Sequence, residues 1–292
     1  MISALCVVAA IGVVGFIWRE LTYEYPVVNL RLFKERRFAV GSLFNFILGF
    51  GLFGSIFVIP IFCQNFLGFT ATDTGMLLIP GSLATAFIMP IIGKALHKNG
   101  PARLFSGIGY LCFFAFTVML AQLGASSGRE DFFWPLIVRG VGLGLIFIPL
   151  MTISMAGLKG RDIPQGAGIT NMVRQLGGSF GVALTATYIE RRMVFHRSVL
   201  ADHVTEYSTA TRERFNGLTH MFTSGGADLA TAHHKALAML DFAVGRQAAL
   251  LSYLDSFFLV GIFFLLCIPL LLLFGKSKAD SAAPAHSSMV AE

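Results

Sequence analysis

Apolar residues fill seven long runs of this chain, at positions 2–18, 38–63, 75–93, 104–123, 134–158, 166–189 and 250–274. Each reaches or approaches the about 20 apolar residues that a helix needs to span a bilayer. The polar segments between them are short, except for residues 190–249. Within that long segment, "ERRMVFHRSVLADHVTEY" (190–207) reads as a helical extension of the sixth run. "ADLATAHHKALAMLDFAVGRQAALL" (227–251) reads as a second helix leading into the seventh. Ser224-Gly225-Gly226 breaks the pattern between them, and Asp228 stands where a helix N-cap is expected. The expectation is a hairpin of two helices outside the bilayer. The final "SKADSAAPAHSSMVAE" has no apolar periodicity and is expected to be disordered.

Composition agrees with a helical membrane protein. The chain is 55% hydrophobic and 13% charged, with 29 phenylalanines, whereas soluble domains carry about 25% charged residues. The net charge of +6 is then read by position, because basic residues in short loops report membrane orientation. Residues 19–37, 94–103, the loop after 158 and the tail together hold twelve Lys and Arg, while 64–74 and 124–133 hold only Arg129. The bias predicts an N-terminus outside, a C-terminus inside and the long segment outside. The seven basic residues of 190–249 do not oppose this, since long loops largely escape the rule. No secretory signal is evident: Met1 leads at once into an apolar run without a basic n-region. An outside N-terminus without a signal is what a chain beginning partway through a longer one would show.

Candidate chemistry is sparse. Cys6, Cys63, Cys112 and Cys267 lie in or beside apolar runs and form no CxxC pair, so they read as packing residues. His233 and His234 are adjacent and point to different faces, and His196 and His203 lie in the long segment, so no metal site is inferred. No nucleophile–base pair occurs within the runs, which argues against an enzyme, and no cofactor is expected.

The polar residues inside the runs carry more information. A charge at the centre of a bilayer costs about 2.5–3.5 kcal/mol on insertion scales and is therefore turned toward the bundle interior or water. Arg174 lies about 12 Å into its run at 1.5 Å per residue, near mid-membrane. Arg174 and Gln175 either line a solute path or hold a neighbouring helix through its carbonyl ends. Asn45 and Asn171 suit the same path or gate, or an interhelical hydrogen bond. Arg139, and Asp255, the only carboxylate in any run, suit a mutual charge pair or interfacial snorkelling. Gly140 and Gly144, and Gly177 and Gly181, form GxxxG spacings that let helix backbones approach closely in lipid. Prolines at 60, 80, 90, 149 and 269 permit kinks, which suits a protein that rocks between states. "GLFGSIFVIP" (51–60) and "GLGLIFIP" (142–149) form a faint repeat three helices apart, which suggests two three-helix units.

Several stretches resemble the C-terminal half of the fourteen-helix drug/proton antiporters of the major facilitator superfamily. They are "NLRLFKERRFAVG" (29–41), "GKALHKNGPARL" (93–104), "RGVGLGLIFIPLMT" (139–152), "NMVRQLGGSFGVAL" (171–184) and "LLSYLDSFFLVGIFF" (250–264). The resemblance covers nearly the whole chain. It implies an all-α membrane protein of seven transmembrane helices: a linker helix at 1–18, a cytoplasmic basic loop at 19–37, a six-helix C-terminal half-domain at 38–275 with its outer hairpin at 190–249, and a cytoplasmic tail at 276–292. It also implies a bacterial inner membrane and proton-coupled efflux of small hydrophobic or amphipathic drug-like molecules. The implied partners are the lipid bilayer, protons, the N-terminal half of the transporter and a periplasmic adaptor protein, with no nucleic acid. The family's fifth-helix antiporter signature and first-half acidic residues are absent from this sequence, so the chain supplies one wall of a site and is expected to be inactive alone.

Two other readings fit seven spans with the N-terminus outside. One is a seven-helix receptor or light sensor; a retinal protein would need a lysine in its last span, and the first one after it is Lys276. The other is a non-transporting remnant or partner subunit. The orientation is directly testable. A cysteine placed at Ser127 should react with an impermeant maleimide on intact cells, and one at Lys159 only after permeabilisation; the reverse pattern overturns the assignment.

Overall fold

A computed structural model describes residues 30–98, 100–124, 127–160, 162–205 and 207–272, with scattered positions between 8 and 22. The predicted tail at 276–292 and most of the predicted span at 2–18 lie outside the described residues. Val8, Ile11 and Trp18 of that span are helical and exposed.

The chain is an all-α membrane protein. Helix α1 covers Arg36–Ile61 and runs into a π-helical segment, Phe62–Phe66. Helix α2 covers Ala71–His97, α3 Ala102–Ala121, α4 Phe133–Met155 and α5 Asp162–His203. Helix α6 covers Thr209–Ser224 and α7 Leu229–Leu272. Five of these are long and apolar enough to cross a membrane: α1 with its π segment, α2, α3, α4 and α7. Helix α5 is not among the five, because its N-terminal half carries Asn171, Arg174 and Gln175 and its C-terminal part is charged. It nonetheless lies along α1 and α7 within the same bundle.

The long segment contains three helical pieces rather than two. The extension of α5 stops at His203, and a separate helix, α6, follows. Its start is marked by Ser208, whose side chain accepts a hydrogen bond from the Thr211 backbone N–H at 3.4 Å. Gly226, at φ +90°, turns the chain out of α6, in a conformation that glycine adopts without penalty. Asp228 caps α7 by accepting from the Thr231 N–H at 3.2 Å. The Thr231 hydroxyl and backbone hydrogen bonds hold the Asp228 carboxyl below the usual carboxylate range.

The core lies between α1, α3, α4 and α7 and is built mainly of phenylalanine and leucine. Phe62 stacks on Phe66 at 5.4 Å and meets Tyr253 at 5.4 Å and Phe257 at 6.1 Å. Phe113 of α3 stacks on Phe264 of α7 at 4.1 Å. Around this core, α1 packs along α5 and α4 packs along α2, while α1 and α4 touch in the middle. The two outer pairings are equivalent if residues 36–121 and 133–272 are two copies of a three-helix unit.

Glycines set both pairings. A Cβ at Gly177 or Gly181 of α5 would collide with the carbonyl of Phe46 or Phe50 on α1, and one at Gly49 of α1 with the carbonyl of Arg174. A Cβ at Gly140 of α4 would strike the carbonyl of Gly81 on α2, and Gly144 lies against Ile88. At that approach the Thr85 hydroxyl donates across to the Gly140 carbonyl at 2.9 Å. Helices pack in lipid through such backbone contact, since there is no hydrophobic drive between them.

These contacts predict a position-dependent cost. Gly177→Ala should destabilise the purified chain by about 1–3 kcal/mol, the usual cost of overpacking, as read by thermal unfolding in detergent. Gly168→Ala on the same helix, where an added Cβ meets nothing within 4 Å, should leave the transition unchanged or raised. Equal effects at the two positions would remove the close contact from the account.

Candidate functional site

The polar side chains inside the bundle fall into three groups. The first joins α1 to α4. Asn45, buried, donates to the Gly41 carbonyl at 2.9 Å and to Ser154 Oγ at 3.3 Å. Toward the other end of the same helix pair, Arg139 Nε donates to Ser55 Oγ at 3.2 Å, and the guanidinium lies 6.0 Å from the Phe116 ring centroid. Arg139 is 7% exposed. Asn45 and Arg139 are thus interhelical ties, and the structure does not bring Asn45 to an uncovered surface.

The second group joins α5 to α7 beyond the apolar core. Asp255 is held by Arg192 at 2.6 Å and by His196 Nε2 at 2.7 Å. The predicted pairing of Asp255 with Arg139 is therefore corrected. Both lie toward the same end of their spans, but Asp255 faces the α5 extension while Arg139 faces α1. Sequence reasoning missed Arg192 and His196 as its partners. Their i, i+4 spacing, which places them on one helical face, was the signal available.

The third group is the uncovered one. Asn171, Arg174 and Gln175 stand at i, i+3 and i+4 on α5 and so share a face. Arg174 Nη2 donates to Asn171 Oδ1. Its guanidinium reaches sideways to the Phe147 ring of α4, 4.6 Å from the centroid, a cation–π contact. Arg174 is half-buried, while Asn171 and Gln175 are exposed. Leu176 and Phe180, on the same stretch, are 56% and 52% exposed. Gly49, Gly177 and Gly181 fix the rotation of α5: its backbone is pressed on α1, and the polar side chains are left on its flank.

Exposed apolar stripes elsewhere have a simpler reading. Met76, Ile79, Leu83, Phe87 and Ile91 run along one side of α2, with the composition that lipid or another apolar surface accepts. A lipid tail cannot satisfy the side chains of Asn171, Arg174 and Gln175, so their face needs water, a solute or a second protein surface. Asn171 and Gln175 on this face are exposed rather than enclosed between helices. The face can donate hydrogen bonds through Arg174, Asn171 and Gln175, and it offers the ring of Phe147 beside them. Arg174 retains donors beyond those used, as a guanidinium carries five.

Comparison with known proteins places the chain. "Fatty acid resistance protein FarB" of Neisseria gonorrhoeae is 30% identical over 287 residues, which is 98% of this chain and 54% of the relative. "Multidrug export protein EmrB" of Escherichia coli (strain K12) is 31% identical over 231 residues, 77% of this chain and 45% of that protein. "Uncharacterized MFS-type transporter YhcA" of Bacillus subtilis (strain 168) is 33% identical over 196 residues, 67% of this chain and 37% of its own length. The chain thus spans about half the length, or less, of these curated relatives. The profile of the Major Facilitator Superfamily matches residues 1–182, more than half of the sequence, and the chain belongs to that superfamily.

Proposed function

We propose that this chain is the C-terminal half of a proton-coupled multidrug efflux antiporter, with α5 supplying part of the solute route. The observation that carries the reading is the exposed polar face of Asn171, Arg174 and Gln175 on the flank of α5, beside exposed apolar residues Leu176 and Phe180. Substrate sites of such transporters lie near the midplane, between two repeats. The face has the chemistry for that position: a cation, two amide groups and an aromatic ring that suit small hydrophobic or amphipathic molecules. The names of the relatives, which speak of multidrug export and fatty acid resistance, point in the same direction.

On this reading residues 38–275 are the six-helix half-domain, residues 1–18 a linker helix and residues 190–249 the outer segment. The protein sits in the bacterial inner membrane with the N-terminus outside. The opposing wall comes from an N-terminal half, and a periplasmic adaptor protein is the fitting partner for the outer segment. The protons are carried mainly by that opposing half, because Asp255, the only carboxylate in the apolar runs, is already held by Arg192 and His196. Asn45 and Arg139 act as ties between α1 and α4, and a gate on this half moves them together.

The test is dye efflux from cells expressing this chain alone, the chain with a matching first half, and that pair carrying Arg174→Ala. The chain alone should export nothing above background, and the pair should export dye. Arg174→Ala should lower export about tenfold, the worth of one charge-assisted hydrogen bond, with the protein still inserted at the same level. Proton-driven export by the chain alone overturns the half-transporter reading. Full export by the Arg174→Ala pair removes Arg174 from the route.

A further inference from the structure

A cavity of about 290 Å³ opens between α6 and α7, above the end of α1. Two guanidiniums, of Arg214 and Arg246, line it, and no carboxylate does. Arg246 donates to the Phe66 carbonyl at 3.4 Å and lies 5.1 Å from the Phe66 ring centroid. Arg214 forms no hydrogen bond or ion pair with the described residues. On the same helix as Arg246, Asp241 is engaged elsewhere, by Arg197 at 2.7 Å. The cavity therefore has two cations with most of their N–H donors unspent.

The remaining walls are apolar except for Gln247. Leu218 of α6 and Met239 and Phe242 of α7 line it, and Phe242 is 66% exposed. An exposed phenylalanine beside two uncompensated arginines suits neither a packed core nor an ordinary solvated surface. Its position explains the mixture. Phe66 ends the first membrane helix, and Arg246 precedes the apolar run at residue 250 by four residues, about 6 Å along a helix. The cavity thus straddles the edge of the bilayer. It is also slightly smaller than the pockets of about 300–1,000 Å³ that enclose most of a drug-sized ligand. A ligand that leaves its chain in the membrane needs no more room than this.

We propose that this cleft binds an amphipathic anion: a carboxylate or phosphate head between Arg214 and Arg246, with an aliphatic chain across Leu218, Met239 and Phe242 toward the bilayer. Guanidinium pairs with such heads through short charge-assisted hydrogen bonds, commonly two at a time. The ligand comes either from the bilayer, as an anionic phospholipid, or from solution, as a free single-chain amphiphile. The residues that line it lie apart from Asn171, Arg174 and Gln175, so the proposal stands whether or not the α5 face is a solute route.

The experiment is photo-cross-linking of the full chain in phosphatidylcholine nanodiscs with a diazirine-bearing dodecanoate, the labelled peptides being mapped by mass spectrometry. Label should concentrate in residues 214–218 and 239–247. It should fall at least fivefold in the Arg214→Gln/Arg246→Gln double variant and persist in Arg212→Gln, an exposed neighbour on α6. Displacement by replacing a third of the lipid with phosphatidylglycerol assigns the site to a bilayer lipid. Displacement by unlabelled dodecanoate alone assigns it to a free amphiphile. Equal labelling of the wild-type chain by the uncharged methyl ester overturns the proposal without recourse to any variant. So does label that neither competitor displaces, or that the double variant retains in full.

Discussion

The backbone contact between α1 and α5 governs what this bundle can present. Gly49, Gly177 and Gly181 leave no Cβ at three points where the two helices touch, and carbonyl oxygens of the facing helix occupy the space instead. A contact that close admits only a narrow range of helix rotations, because protein interiors fill space as organic crystals do. The rotation decides the fate of every other residue on α5. It buries Ile169 and Thr185, turns Arg174 toward Phe147, and leaves Asn171 and Gln175 without cover. Three glycines with no chemistry of their own thus determine which polar groups are available.

The same reasoning explains why two arginines at intramembrane positions have different fates. Arg139 is enclosed, with Ser55 as its hydrogen-bond partner and Phe116 nearby. A buried charge is tolerated only when its surroundings replace some of its lost hydration, and this one serves to join α1 and α4. Arg174 spends a hydrogen bond on a residue of its own helix, Asn171, and so ties nothing together by that bond. Its guanidinium reaches an aromatic ring, Phe147 of α4, which keeps it extended along the flank of the bundle. The difference lies in the partner rather than in the depth.

Much of the fold was legible because apolar run length is a direct physical requirement of a bilayer. Residues 38–63, 75–93, 104–123 and 134–158 each match a helix within a few residues at most ends. The continuation of α5 beyond the apolar run was legible too: residues 190–207 read as its helical extension, and the helix runs to His203, since nothing between Ile189 and His203 breaks a helix. Helix α6 was missed because its residues are mostly polar and Ser208 was not read as a cap. The site was legible in part: GxxxG spacing marked the contact lines, and Asn171, Arg174 and Gln175 stood out as costly residues. The partners of Asp255 were not legible, because sequence gives depth along a helix and not the direction a residue faces once the helices have packed.

A polar residue within a membrane is informative in proportion to what its surroundings fail to satisfy. Asn45, Ser55, Arg139 and Ser154 are all engaged across the α1–α4 contact or with their own helices. Asp255 is engaged across the α5–α7 contact. Removing any of these would leave an orphaned group inside the bundle, which is reason enough for their presence. Asn171 and Gln175 are exposed, and Arg174 meets the Phe147 ring of α4 and its own helix neighbour Asn171. Three helix-compatible apolar residues would pack there at least as well and insert more cheaply. A cation and two amides left on the flank of an apolar helix therefore ask for a polar neighbour, and water is enough to supply one.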